Sequence, residues 1–193
     1  YTLILGEGKT SRDEKRVVEN KKDEIEILNS EIKRANDTIG IKKTFIYNFA
    51  DNRFDSVDLL DIVKVISKVK EEIRPDIIFT HYENDLNIDH KITYQAVITA
   101  TRPMQNESVK EIYSFEILSS TEWNYPLSFS PDTFFDIEDT LDLKISAMKE
   151  YKSELCTYPH PRSIEGIELN AQYQGMRVGK KYVEAFKSVR VIR

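Results

Sequence analysis

The 193-residue chain is poor in the features that announce whole classes of protein. It has one cysteine, Cys156, so no intramolecular disulfide framework exists and a reducing compartment fits; a cytoplasmic location is expected. No apolar run exceeds a few residues, so nothing in the sequence reads as a membrane span. The six glycines and six prolines are scattered, without repeat, linker or low-complexity tract. Positive charge is in deficit: the formal net charge is −5, and no Lys/Arg stripe is dense enough to follow phosphates, which argues against a nucleic-acid partner. No initiator methionine opens the chain, which starts on Tyr1-Thr2-Leu3-Ile4-Leu5-Gly6 as though already inside a strand.

What is present is an alternation of strand and helix signals. Tyr1–Leu5, Lys43–Phe49 and Pro75–Phe79 are short apolar runs of the kind that fill a parallel sheet. Between them lie two amphipathic stretches. One runs from Asp13 to about Ala35, with its stripe at Val18, Ile25, Leu28, Ile32 and Ala35. The other runs from Val57 to about Ile73, capped at Asp55-Ser56, striped at Leu60, Ile62, Val63, Ile66 and Val69, and stopped by Pro75. A helix over Lys91–Arg102, a strand over Val109–Ile117, helices over Leu141–Leu155 and Ser163–Tyr173, and an edge strand within Lys181–Ile192 complete the reading. The expected fold is one α/β domain over 1–193, Rossmann-like, with a mainly parallel sheet and helices on both faces.

Polar residues collect where such sheets place their sites, at the carboxyl ends of strands. The richest segment is Thr80-His81-Tyr82-Glu83-Asn84-Asp85-Leu86-Asn87-Ile88-Asp89-His90. His90 at a helix start, among carboxylates, is either a zinc ligand or a solvated first-turn residue beside a capping Asn87 or Asp89. A carboxylate on its other ring nitrogen would fix the tautomer. His81 alone reads as a near-core histidine. Glu7-Gly8-Lys9-Thr10-Ser11-Arg12 is either a ligand loop, with Arg12 pinning an anionic or hydroxyl-rich group, or a polar turn; it lacks the spacing of a P-loop. Asp51, Asn52 and Arg53 have no local structural role and suit ligand contact. Pro159-His160-Pro161-Arg162 holds a histidine and an arginine in a stiff turn, and Ser119-Ser120-Thr121-Glu122-Trp123 sets hydroxyls beside the only tryptophan, which suits stacking on a sugar face as well as core packing.

In order along the chain, these segments resemble the PIG-L/LmbE-like zinc-dependent de-N-acetylases, the family that includes N-acetylglucosaminyl-phosphatidylinositol de-N-acetylase. The resemblance is carried by Leu3-Ile4-Leu5-Gly6-Glu7-Gly8 with Ser11-Arg12, by Asp51-Asn52-Arg53-Phe54-Asp55, and above all by Asp85-Leu86-Asn87-Ile88-Asp89-His90; Ala100-Thr101-Arg102-Pro103, Ser114-Phe115-Glu116 and Pro161-Arg162-Ser163 extend it. It implies zinc-dependent hydrolysis of the acetamide of an N-acetylated amino-sugar conjugate, with Zn²⁺ as cofactor and His90 as one of three metal ligands. The other two would come from a His-Pro-Asp-Asp-Glu motif after the family's first strand. This sequence does not contain it: the only His-Pro is His160-Pro161, followed by Arg162. The expectation is therefore a chain cut at its amino terminus, lacking the first strand and helix, binding zinc poorly and inactive by itself.

The resemblance also implies roles for other positions. Asn87 stands where several relatives carry a histidine that steadies the oxyanion, and an amide donates a hydrogen bond without shuttling a proton. His160 or His81 would deliver the proton to the leaving amine. Arg12, Asp51, Arg53, Asp85 and Arg162 would contact the sugar or an attached phosphate. Two readings from other classes stay open: a non-catalytic carbohydrate- or nucleotide-binding domain, and a Mg²⁺-dependent phosphoester hydrolase with an all-oxygen ligand set. A homo-oligomer is left open too.

Overall fold

The computed structural model describes residues 1–12 and 17–193, with the side chains of Arg12 and Val18 outside the description. The opening of the helix expected from Asp13 lies outside the described residues. The chain divides into two compact units, one made of 1–51 with 135–184 and the other of 52–134 with 185–193.

In the first unit, strand β1 (Thr2–Gly6) pairs in parallel with β2 (Thr44–Phe49), Leu3 opposite Phe45 and Ile4 opposite Ile46. Helix α1 (Lys22–Thr38) packs on α4 (Leu141–Glu150), and α5 (Ile164–Met176) packs on α4 in turn. The α1 stripe is buried at Leu28, Ile32 and Ala35, as its spacing predicts. Across from it Ile137, Leu141 and Ala171 form a cluster closed by Ile145 and Tyr182. The helix expected over Leu141–Leu155 ends at Glu150, and residues 152–154 form a turn instead.

In the second unit, helix α2 (Leu59–Ile73) packs on α3 (Ile88–Ala100). Ile62, Val63, Ile66 and Val69 of α2 meet a core that includes Ala96, Val97 and Ala100 of α3. Leu60, assigned to the buried stripe, is 60% exposed. The Asp55-Ser56 cap is replaced by a short 3-10 turn over Phe54–Ser56, and the helix begins after Asp58. Arg74 closes α2 in the left-handed conformation, φ 49°, just ahead of Pro75.

Strand β3 (Ile77–His81) runs parallel to β4 (Glu111–Phe115), in register from Ile77 opposite Glu111 to His81 opposite Phe115. Four strands make this sheet, in the order β3-β4-β6-β5, with β5 (Thr133–Asp136) and β6 (Val183–Val191) at the division of the chain. β6 is antiparallel to β4 and lies between β4 and β5 rather than at an edge. The expected α/β class holds, with parallel pairing in β1–β2 and β3–β4 and an antiparallel strand added from the carboxyl-terminal segment. Among the described residues no helix is long and apolar enough to cross a membrane.

Candidate active site

β3 delivers His81 at its last residue, and the six residues that follow turn the chain into α3. The turn is held by side chains reading backbone. Asn87 caps α3 by accepting the Asp89 N–H at 2.8 Å, and the Asn87 N–H in turn donates to Asp85 Oδ1 at 2.8 Å. This cap starts the helix at Ile88, earlier than its apolar spacing indicates, and so puts His90 in the first turn.

Asp85 is the hub. It is fully buried and accepts from Ser120 Oγ, Thr121 Oγ1, the Asn87 N–H and, at 3.0 Å, His90 Nδ1. Burial alone would raise its pKa; the bonds from His90, Ser120, Thr121 and Asn87 outweigh that and bring it down to about 2. Asp85 is thus an anion across the neutral range, and an anion on Nδ1 makes that nitrogen the proton-bearing one. The lone pair of His90 is left on Nε2. The imidazole is 20% exposed, so the side chain is neither sealed in the core nor fully solvated. Asp85, expected to touch a substrate, instead has its oxygens occupied inside the protein and acts by orienting His90.

His81 lies against this pair. Its ring stacks on His90 with centroids 4.2 Å apart and planes 17° from parallel, and Phe115 tilts against it at 5.1 Å. Its Nδ1 is buried without a hydrogen-bond partner. Burial, reinforced by the nearby His90 and opposed by Asp85, pushes its pKa down to about 3. At neutral pH it therefore carries no charge. That removes His81 as a store of acid for a leaving amine, because a protonated ring there is disfavoured by the same burial.

Asp89, read from sequence as a cap or pocket residue, has a different part. Its Oδ2 accepts the Asn52 N–H at 2.7 Å and its Oδ1 the Phe54 N–H at 2.9 Å. Asn52 sits at φ 53°, a conformation this brace holds in place. The exposed Arg53 lies between the two bonded amides, so the side chain is presented from a fixed turn. His81, Asp85, Asn87, Asp89, His90 and Arg53 thus belong to one unit, joined by Ser120 and Thr121.

The remaining predicted residues belong to the first unit. Arg12 ends a short 3-10 turn, Thr10–Arg12, and its side chain lies outside the described residues. Asp51 accepts from the Ser11 N–H at 3.3 Å and from the Ser11 hydroxyl. Arg162 donates from Nη1 to Glu154 at 3.1 Å, and the other oxygen of Glu154 binds the buried Lys9 at 2.6 Å. Arg162 is therefore tied into a structural network rather than presented alone. His160 Nδ1 accepts the Arg162 N–H at 3.1 Å, which puts the proton of the neutral ring on Nε2. The two histidines are set as opposite tautomers, His90 offering a lone pair and His160 a hydrogen.

Zinc takes three protein ligands in a hydrolytic site, with a fourth position open. His90 is prepared as one such ligand by Asp85. Among the described residues, however, no group of three or more His, Cys, Asp or Glu side chains could hold a metal ion. The donors described here do not close a zinc site.

Ser120 and Thr121 are the residues whose part the sequence did not reveal. They come from a segment some 35 residues downstream of Asp85. Their hydroxyls are buried on its carboxylate instead of facing a sugar, while Trp123, two residues on, is 45% exposed.

Residues 1–101 match the family described as GlcNAc-PI de-N-acetylase (PIG-L), and the chain belongs to that family. It is 26% identical over 141 residues to a probable N-acetyl-alpha-D-glucosaminyl L-malate deacetylase 2 of Bacillus cereus, a match covering 72% of this chain and 63% of the relative, under two thirds of its length. Among solved structures it is similar to the N,N'-diacetylchitobiose deacetylase of Pyrococcus horikoshii, with TM-score 0.70 and 19% identity, over 98% of this chain and 72% of that one. It is equally similar to GalB, the 4-carboxy-2-hydroxymuconate hydratase of Pseudomonas putida, with TM-score 0.70 and 19% identity, over 99% of this chain and 85% of that one. The two structures show a shared α/β fold. Since one is a deacetylase and the other a hydratase, the fold alone does not select the chemistry.

Proposed function

We propose that this chain is part of a metal-dependent de-N-acetylase acting on a small N-acetylated amino-sugar conjugate, with His90 as one ligand of a zinc ion. The observation that carries the reading is the Asp85–His90 bond of 3.0 Å, which occupies Nδ1 and leaves Nε2 as the nitrogen that would hold a metal. Membership of the PIG-L family and the deacetylase relatives support the same reaction class. A bound zinc supplies Lewis-acid polarisation of the acetamide carbonyl. The chain's own residues contribute orientation: Asp85 fixes the His90 ring, Asn87 sets the start of α3, and Arg53 on its braced turn meets sugar hydroxyls or a phosphate. Burial disfavours a charged, proton-bearing His81, which argues against it as the group that delivers a proton to the leaving amine.

The test uses the whole protein with a panel of N-acetylglucosamine conjugates, following release of primary amine and, separately, metal content. His90→Ala is expected to abolish both stoichiometric zinc and amine release. Undiminished zinc in that variant would reject the assignment of His90, and no amine release from any conjugate by the metal-loaded protein would reject the activity. Conjugate binding by the whole protein without amine release would instead select a sugar-binding domain without hydrolysis.

A further inference from the structure

Helix α5 has two faces of unlike purpose. Ile167, Ala171, Gln174 and Gly175 are buried. On the opposite side Leu169 is 50% exposed, Tyr173 57% and Met176 72%, with Tyr158 of the preceding turn at 60%. Single exposed apolar residues are ordinary, but a row of three along one helix with a fourth beside it is a contiguous patch. Beside Leu169 lies an open cavity of about 430 Å³ lined by Tyr158, Glu165, Glu168, Leu169 and Gln172.

The row is also symmetric in charge. Glu165, Leu169, Tyr173 and Arg177 follow one another at four-residue spacing, so acid and base lie at equal distances on either side of Ala171, and so do Leu169 and Tyr173. Arg177 follows the last helical residue with its backbone still helical, φ −65°, and its Nη1 donates to Gln174 at 2.6 Å. When the i, i+4 rows of two helices interdigitate, they cross at about −50° with the rows side by side. Run antiparallel, this row meets a copy of itself with Glu165 beside the partner's Arg177, and Leu169 beside the partner's Tyr173. Run parallel, it sets like charge on like.

We propose that the exposed face of α5 is a self-association surface on which a second copy of this chain packs α5 against α5, antiparallel about a two-fold axis. The partner's Tyr173 enters the cavity beside Leu169, and the two Glu165–Arg177 pairs flank the apolar centre. Such an interface is isologous, each row serving as both surfaces.

Sedimentation velocity and light scattering on the purified protein over a range of micromolar concentrations test this. A mass of two protomers is expected, with Leu169→Glu reducing it to one. If that variant does not fold, as judged by its circular dichroism, Tyr173→Glu takes its place. Glu165→Arg alone is expected to weaken association by about tenfold or more, since it sets like charges together. Glu165→Arg with Arg177→Glu together restores association, because the pairs re-form with signs exchanged. The double exchange puts each charge at the unfavourable end of the helix dipole, so a purely helix-stabilising role predicts a worse protein rather than a recovered one. A protein monomeric at every concentration, an oligomer indifferent to Leu169→Glu, or no recovery in the double exchange would each overturn the proposal.

Discussion

Two buried carboxylates, one in each unit, show how the same local device serves different ends. Glu7 follows β1 in the first unit and Asp85 follows β3 in the second; they are 5% and 0% exposed. Each gathers donors from the loop around it. Glu7 accepts from the Lys9 N–H at 2.8 Å, the Thr10 N–H at 3.1 Å, the Thr10 hydroxyl and the Asp51 N–H at 3.3 Å. Asp85 accepts one backbone N–H, two hydroxyls from a distant segment and an imidazole. Glu7 thus folds a loop, through local backbone, an adjacent hydroxyl and an amide just past the neighbouring strand. Asp85 folds a loop and also sets the tautomer of a partly exposed ring. The ring is the difference: the bonds given for Glu7 brace a loop, whereas Asp85 also holds an imidazole and so controls that ring's tautomer.

Complete removal of either group should be the most damaging change. Asp85→Ala leaves two buried hydroxyls, an amide and a ring nitrogen without their acceptor, and Glu7→Ala does the same to three amides and a hydroxyl. Unsatisfied buried donors cost about 1–3 kcal/mol each and do not add fully, so a loss of about 3 kcal/mol is expected for each variant. Urea unfolding measures it. A loss below about 1 kcal/mol for Asp85→Ala would mean that the hub is dispensable to the fold.

The isosteric variants separate brace from controller. Asp85→Asn keeps the volume but removes the anion, and its amide competes to donate where His90 Nδ1–H now donates. Removing such an outer partner weakens metal binding by about 10–100-fold. In the whole protein, zinc competition titration should show that loss for Asp85→Asn and affinity within about twofold of the parent for Glu7→Gln. Equal losses would erase the distinction between the two carboxylates.

Acid sharpens the comparison from the side of Glu7. Burial alone would raise its pKa above the ordinary 4.5, but bonds from Thr10, Lys9 and Asp51 outweigh it and hold it lower. A folded-state pKa below the unfolded one gives stability that is present above pH 4.5 and is lost as pH falls through the folded value. Melting temperature followed from about pH 6 to pH 3 should therefore fall more steeply in the parent than in Glu7→Gln, which has no proton to take up. Parallel curves would show that Glu7 gains nothing from its charge.

The two carboxylates were not equally legible. Asp85 stands in Asp-Leu-Asn-Ile-Asp-His, a string dense in donors at a strand end, and its closeness to His90 is a matter of one turn of chain. Glu7 was visible only as part of a polar loop, because its partner Asp51 is 44 residues away, in the turn that follows another strand. The same limit hid Ser120 and Thr121: hydroxyls seen from sequence can face a sugar or a buried anion, and only tertiary contact decides. Helix stripes were read correctly where burial follows periodicity, as at Leu28, Ile32 and Ala35. Leu60 failed because, at the helical spacing, it falls on a different face of α2 from Ile62, Ile66 and Val69. The interior position of β6 could not be read either, since a strand alternating apolar and basic residues looks like an edge until its antiparallel partners are known.

The smallest effects concern the two caps that follow the two histidine-bearing turns. Asn87 accepts the Asp89 N–H at 2.8 Å to open α3, and Ser163 accepts the Gly166 N–H at 2.9 Å to open α5. Loss of a capping side chain costs about 1 kcal/mol, so Asn87→Ala and Ser163→Ala should lower stability alike. Asn87→Asp divides the two functions of that position. An aspartate caps as well as an asparagine, so stability should hold, while the amide hydrogens available to an oxyanion are gone. If Asn87 contributes such a bond, amine release by the whole protein should fall by about 10²-fold in Asn87→Asp, and remain within about twofold in Ser163→Ala. Undiminished turnover in Asn87→Asp would leave Asn87 a cap and nothing more, making it to α3 what Ser163 is to α5.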